Sequence, residues 1–401
     1  MEVLQDTYKD TKIGRIPKDW DIVKLKEVCS IEYGKDQKKV ENLNGKYGIY
    51  GTGGLMNYSD EFLYNKPSVL IGRKGTIDKP RYIDVPFWTV DTLFYTKVFN
   101  DVDVKWFYYK CVRIPWRTLN EATGVPSLNR NNIYSFKISL PPLQEQQKIA
   151  AILSTVDEQI SITDKIIEKS KELKKGLMQK LFSEGIGHTE FKDTKIGRIP
   201  KDWEVVKVGD ICKLQGGFAF KSSDATENGV RWFKIANVGF NRVKWDVESF
   251  LPLGFEKKHP DFVLNEGDIV VAMTRPVLSG KLKICTIMKS DSGTLLNQRV
   301  GRVKLIDNND SVYYYQSFNT KRFIDSVEGE LFGTDPPNIS SKLFESIKIP
   351  VPPKQERTKI AAILSEADAK IEKEQTQKTQ LEQLKKGLMQ QLLTGKKRVK
   401  V

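Results

Sequence analysis

Residues 11–20 read TKIGRIPKDW, and residues 194–203 read TKIGRIPKDW again. The match extends outward with substitutions, YKDTKIGRIPKDWDIVKL over 8–25 against FKDTKIGRIPKDWEVVKV over 191–208, a displacement of 183 residues. A second pair of segments repeats at a displacement of 211. PPLQEQQKIAAILS begins at Pro141 and its segment closes with LKKGLMQKLFSEG at Gly185, while PPKQERTKIAAILS begins at Pro352 and closes with LKKGLMQQLLTG at Gly395. Self-similarity of this kind marks one structural plan used twice. The two displacements differ by 28 residues, so the material between the repeated ends is longer by that amount in the second copy.

Each repeated C-terminal segment has the pattern of a long helix. No proline follows the opening Pro-Pro, and apolar residues recur at spacings of three and four: Ile149, Leu153, Val156, Ile160, Ile167, Leu173, Leu177 and Leu181, then Ile360, Leu364, Ala367, Ile371, Leu381, Leu384, Leu388 and Leu392. Both stripes are interrupted midway, by Thr163 and Ser170 and by Glu374 and Lys378. Polar residues in such a seam cost stability and set register. About 40 residues at ~1.5 Å each give a rod of roughly 60 Å. One such helix cannot bury its stripe alone; two of matching pattern can. If the two copies are related by a pseudo-two-fold axis, the helices pair antiparallel and the intervening bodies lie at opposite ends of the rod.

The bodies, 21–140 and 204–351, differ in sequence but share punctuation. Short β-branched and aromatic runs (Ser68 to Gly72, Phe87 to Val98, Ile133 to Leu140; Gly267 to Met273, Leu282 to Met288, Gln298 to Leu305) alternate with Gly-rich turns such as Gly51-Thr52-Gly53-Gly54. This predicts α+β domains with one scaffold and different loops, a pattern that suits one task performed on two targets.

The whole chain has 401 residues, 39% hydrophobic and 10% aromatic, enough to bury a core in each body. Its 65 Lys+Arg against 51 Asp+Glu leave a net charge of +14, which makes polyanions natural partners. The surplus is uneven: body 20–140 holds 18 basic and 13 acidic residues, body 203–351 holds 20 and 18, the helices are nearly neutral, and Lys396, Lys397, Arg398 and Lys400 form a basic tail. No apolar run approaches the ~20 residues needed to span a bilayer, and Met1 to Tyr8 lacks a secretory pattern, so the expectation is a cytoplasmic protein with no membrane partner. Cys29, Cys111, Cys212 and Cys285 form no CxxC pair and are expected to be reduced core thiols.

Taken together, the doubled TKIGRIPKDW, the doubled PPxQExxKIAAIL…LKKGLMQ helices and the two unlike bodies resemble the specificity subunits of type I restriction-modification enzymes. The resemblance covers essentially the whole chain. Residues 49–78 (IYGTGGLMNYSDEFLYNKPSVLIGRKGTID) and 295–305 (LLNQRVGRVKL) are similar to two common types of target recognition domain. It implies two globular mixed α/β target recognition domains separated by two long antiparallel helices, with this division: 1–19 N-terminal segment, 20–143 first recognition domain, 144–184 central helix, 185–202 linker with the repeated segment, 203–354 second recognition domain, 355–394 C-terminal helix, 395–401 basic tail. It further implies a non-catalytic, monomeric subunit in which each recognition domain reads one half of an asymmetric bipartite site in double-stranded DNA. The helices would set the spacing and bind two methyltransferase subunits; motor-nuclease subunits join for restriction. No cofactor is expected in this chain, S-adenosylmethionine, ATP and magnesium belonging to the partner subunits. The alternative is a coiled-coil scaffold that binds only proteins.

Motifs for independent chemistry are poor. Gly280-Lys281 and Gly395-Lys396 lack the first glycine and the hydroxyl of a P-loop. Asp335-Pro336-Pro337-Asn338 lacks the final aromatic residue with which adenine methyltransferases stack a flipped base, and is read as a turn. Pro260-Asp261 before Glu266-Gly267-Asp268 lacks the lysine of a PD…ExK nuclease, and His188 and His259 offer little to a Ser-His-Asp arrangement.

DNA-contact candidates therefore come from Lys, Arg, amide and aromatic residues near the Gly-rich turns. In the first body these are Tyr50, Thr52, Arg73, Lys74 and Trp88, with Lys46, Lys79 and Arg81 assigned to phosphates. In the second they are Lys221, Asn237, Asn241, Arg242, Arg275, Asn297, Gln298 and Arg299. Arg can bond guanine O6/N7 bidentately, and Asn or Gln can do the same with adenine.

Overall fold

A computed structural model describes residues 7–307, 310–331 and 336–400. Two units emerge, Met1–Lys165 with Gln375–Val401, and Ile166–Glu374.

The first unit opens with a hairpin in which Tyr8–Thr11 pairs with Gly14–Pro17, so the repeated TKIGRIPKDW is a tight β-turn followed by a buried Trp20. Beyond it, strand Asp21–Lys24 pairs antiparallel with Lys137–Leu140, tying the two ends of the body together. Between them lies a four-stranded antiparallel sheet in the order Cys29–Tyr33, Leu93–Val98, Ser68–Gly72, Arg81–Ile83. The central Ser68–Gly72 strand is buried at every position, which is why its sequence, SVLIG, is continuously apolar after Ser68 rather than alternating. A second sheet orders Gly54–Ser59, Tyr47–Gly51 and Phe87–Thr89, the last two running parallel. Helix Val104–Val112, capped by the Asp103 carboxylate accepting from the Trp106 amide, contributes Trp106, Phe107 and Tyr109 to a core shared with Trp20 and Trp116.

In the second unit the topology recurs although the sequence does not. Its four-stranded antiparallel sheet runs Cys212–Gly216, Val300–Leu305, Ile269–Ala272, Ile284–Thr286. Beside it Val230–Phe233 pairs parallel with Thr294–Leu296, flanked by Phe250–Leu251 and Val263–Leu264. Even the registers agree: Cys29 opposes Val98 as Cys212 opposes Leu305, and Gly72 opposes Leu93 as Ala272 opposes Val300. Much of the additional length lies in the 234–249 connection and in a small hairpin, Val277–Leu278 with Lys281–Leu282.

The long helices are Leu143–Leu181 and Lys354–Leu392, 39 residues each. Within the first unit their segments pair antiparallel: Asp157 bonds Lys385 at 2.6 Å and Asp164 bonds Lys378 at 2.7 Å, so seven residues forward on one are seven back on the other. Ile149, Leu153, Met389 and Leu392 are buried there. The polar interruption at Lys378 is thus an ion pair, and that at Thr163 is resolved by its hydroxyl donating to the Gln159 carbonyl. In the second unit Lys174 meets Asp368 at 2.6 Å beside buried Ile360 and Leu364.

The repeated residues also explain one another. In the first unit the Trp20 indole N–H donates to Glu145 Oε2 at 2.9 Å; in the second Trp203 donates to Glu356 Oε2 at 3.0 Å. A further partner completes each carboxylate. Arg398 bonds Glu145 and Asp19, and His188 Nε2 lies 2.9 Å from Glu356. Arg398, part of the basic tail, is therefore held inside the first unit, and its charge is stabilised by those two carboxylates. Gly185, at φ 67°, must be glycine because a Cβ there would sit 2.4 Å from Glu356 Oε1. All four cysteines are free and buried, with burial pushing the Cys29, Cys212 and Cys285 thiols up to about 12. No helix among the described residues is long and apolar enough to cross a membrane.

Candidate nucleic-acid interface

Five loops of the first unit meet at one edge of its sheets. They follow the Cys29–Tyr33, Tyr47–Gly51 and Ser68–Gly72 strands, precede the Leu93–Val98 strand, and precede helix Arg130–Ser135. Backbone bonds lace them together: Gly34 N donates to Leu93 O (3.0 Å), Val90 N to Tyr50 O (3.1 Å), Arg73 N to Thr92 O (2.8 Å) and Leu128 N to Arg73 O (2.8 Å). The second unit repeats the lacing with Gly217 to Val300 (3.1 Å), Asn297 to Phe233 (3.0 Å), Met273 to Arg299 (2.9 Å) and Ile339 to Met273 (2.8 Å). One frame thus carries two different sets of side chains.

Most of the residues singled out from sequence fall in or beside these loops. Tyr50 is half-buried next to the 51–54 turn, and Thr52 sits at its tip facing Gly75. Arg73 and Lys74 follow the central strand; Lys74 is exposed, and the Arg73 guanidinium donates to Asp91 O at 3.0 Å. Arg81 reaches the same turn, donating to Gly53 O at 2.9 Å, and Lys79 stands exposed just before it. Lys46 is exposed in the turn that precedes Tyr47–Gly51 and is not joined to the cluster. In the second unit Arg275, Gln298 and Arg299 are exposed, and Asn297 is half-buried with its Oδ1 accepting from the Arg299 amide. Lys221 precedes the Ser222–Asp224 turn with its side chain exposed. Asn241 and Arg242 lie in the 234–249 connection, where Asn241 accepts from the Tyr315 hydroxyl at 2.9 Å.

Two of the residues are placed in the interior instead. Trp88 is 7% exposed, packs with Ile49 and Val90, and donates its indole N–H to Lys35 O. Asn237 is 3% exposed, with its amide donating to Lys244 O and Val247 O and accepting from the Lys234 amide, so its hydrogen bonds close its own loop. Neither has a free polar edge to offer a base.

The fold also assembles a group that the linear sequence does not show. Tyr33, 44% exposed at the end of its strand, has the Arg73 guanidinium 5.2 Å and the Arg130 guanidinium 5.1 Å from its ring centroid, and packs edge-on against Phe94. Two cations over one aromatic ring are each attracted to it by roughly 0.5–2 kcal/mol. Their planar donor forks match phosphate or a guanine edge. The positions that correspond in the second unit are Gly216, Met273 and Ser341, which carry no charge.

Segments that resembled catalytic motifs are structural. The Asp268 carboxylate and the Asp261 carbonyl both hold the buried Arg302 guanidinium, which also bonds Gln215. Asp335 lies outside the described residues; of its neighbours, Pro337 O accepts from Arg275 N at 2.7 Å and Asn338 folds its amide back on Pro336 O at 3.0 Å. No cluster of His, Cys, Asp and Glu suited to a metal ion occurs among the described residues.

Two α+β modules of one topology, each presenting its own loop set and each fastened to a share of two paired helices, define a two-module recognition protein. A family profile described as "Type I restriction modification DNA specificity domain" matches residues 17–172 and again 200–383. The chain is 34% identical over 424 residues to the type I restriction enzyme MjaVIII specificity subunit of Methanocaldococcus jannaschii, covering 99% of this chain and 97% of that one. It is 29% identical over 433 residues to the putative MjaX specificity subunit of the same organism, covering 99% and 98%. The crystal structure of a type I restriction-modification S subunit from M. genitalium shares the fold, with a TM-score of 0.64 at 17% identity over 93% of this chain and 96% of that one. The chain belongs to the type I restriction-modification specificity family. It is the DNA-recognition subunit of such a system, and catalysis belongs to its partners.

Proposed function

We propose that the loop cluster of each unit reads one half of an asymmetric bipartite site in double-stranded DNA. The observation that carries this reading is one backbone frame bearing unlike side chains, with Tyr33, Arg73 and Arg130 in the first unit at the positions that Gly216, Met273 and Ser341 occupy in the second. A shared frame gives both halves the same mode of approach, and unlike side chains give them different sequences. Phosphate contacts fall to Lys46, Lys79 and Arg81, which position the duplex without carrying sequence information. The two 39-residue helices set the distance between half-sites, about one helical turn or ~34 Å, and dock two methyltransferase subunits; motor-nuclease subunits join that assembly. S-adenosylmethionine, ATP and magnesium act in those partners.

The isolated chain is a monomer that binds DNA weakly, because its body charges are modest, and gains affinity in the complex. A gel shift with duplex DNA at several salt concentrations, with and without the methyltransferase subunits, tests this. Salt-dependent, sequence-dependent binding that tightens with the partners is expected; no DNA dependence in either case would favour a protein-only scaffold.

A further inference from the structure

Arg275 has a positive φ, 46°, one of three such residues other than glycine among those described. Its counterpart in the first unit follows from the backbone bonds. Gly75 N donates to Pro126 O at 2.8 Å where Arg275 N donates to Pro337 O at 2.7 Å, and the flanking bridges Lys74 to Ser127 and Thr274 to Asn338 agree. Gly75 has φ 85°. The frame demands a left-handed backbone at this position, which glycine supplies freely and a side chain strains. Glycine would serve the second unit better, yet an arginine stands there. Its side chain is exposed, and its guanidinium has no hydrogen bond or ion pair among the described residues, so none of these offsets the strain. Residues held in unfavourable backbone regions concentrate at functional sites.

We infer that Arg275 is a specificity-determining residue of the second unit, its guanidinium fork reading a guanine edge in that unit's half-site. The inference rests on the DNA-recognition reading. It gives the two units their arginines at complementary places on one frame. In the first, Arg73 and Arg130 flank Tyr33 and the left-handed position is glycine; in the second, those three places carry no charge and the left-handed position is arginine.

The test uses the full chain assembled with its methyltransferase subunits and reads the methylated sequence genome-wide, for wild type, Arg275→Gly and Arg275→Lys. Arg275→Gly relieves the strained backbone, so the variant folds at least as well as wild type, which a melting curve checks. The expected result is that one base pair in one half-site becomes degenerate in both variants, with the other half-site and the spacer unchanged and cognate binding weakened roughly 5- to 150-fold. Arg275→Lys keeps the charge but loses the fork, so failure of lysine to restore the base preference separates base reading from phosphate contact. An unchanged motif in Arg275→Gly, or full rescue by lysine, would overturn the assignment. A wild-type complex that methylates without sequence preference would instead overturn the reading beneath it, and the assignment with it.

Discussion

The Trp20 indole N–H lies 2.9 Å from Glu145 Oε2, joining the end of the repeated TKIGRIPKDW segment to the first turn of a long helix. Glu145 is fully buried and is held as well by the Arg398 guanidinium, so its carboxylate organises three separate stretches of chain. Breaking one side of a buried ion pair costs about 3–5 kcal/mol, because the remaining charge loses its partner. Arg398 is part-exposed and keeps Asp19 when Glu145 is removed, so the lower end applies. Glu145→Ala is expected to destabilise the first unit by about 3 kcal/mol, seen as a lower urea midpoint, whereas Glu145→Gln, which keeps an acceptor for Trp20, loses less. Equal stability of all three proteins would show that this junction contributes nothing.

Lys110 sets a pH dependence. Its ammonium is enclosed near Trp20 and Trp106, donates to Ser139 Oγ and Leu393 O at 2.7 Å, and lies within the field of the Arg113 guanidinium. Burial, reinforced by Arg113, pushes its pKa down to about 7. Below that value the folded and unfolded chains both carry the proton and the burial penalty is constant. Between about 7 and the ordinary lysine value near 10.4 only the unfolded chain holds the proton, so this residue's contribution to stability rises with pH by up to about 1.4 kcal/mol per unit. The buried cysteines act oppositely above about 8.5, since their folded thiols stay protonated. Urea unfolding of wild type and Lys110→Met at pH 7, 8 and 9 isolates the lysine: the wild-type stability should gain on the variant across this range, and parallel curves would refute it.

Arg73 and Arg130 share one tyrosine ring, so their effects should couple. Arg73→Ala and Arg130→Ala are each expected to weaken cognate DNA binding by roughly tenfold, with Tyr33→Ala weakening it too by releasing both guanidinium groups. The double arginine variant should depart from additivity. Competition binding with oligonucleotides altered in one half-site checks this; losses spread evenly over both half-sites would assign the group to phosphates.

How much of this was readable beforehand differs by level. The repeats and the helical stripes were legible because identical residues and 3.6-residue spacing are local signals. A shared scaffold was expected from the common punctuation of the bodies, but its strand order and register were not legible, since they reside in pairings such as Gly72 with Leu93 and Ala272 with Val300, which no sequence identity marks. Tyr33 and Arg130 escaped for a similar reason: only the strand order brings residues 33, 73 and 130 to one edge. Trp88 and Asn237 carry the residue types and turn-side positions of contact residues, but burial decides their role, and proximity to a glycine turn does not report burial. Arg398 reads as loose charge in a basic tail until Glu145 and Asp19 are seen around it.

If the helices set the spacing as proposed, their matched length makes the spacer a mechanical quantity. Adding four residues to both helices at equivalent positions extends each by ~6 Å, nearly two base pairs at ~3.4 Å each. The methylated site of such a variant should keep both half-sites and gain one or two base pairs between them; an unchanged spacer would remove the helices from the role of ruler.

The central claim is that each unit independently reads one half-site. Its most direct test is genome-wide mapping of methylation by a chimaera in which residues 203–354 are replaced by a second copy of residues 20–143, assembled with the same methyltransferase subunits. The account predicts a new site whose two halves are both the first unit's sequence. A chimaera that still methylates the original asymmetric site would contradict it.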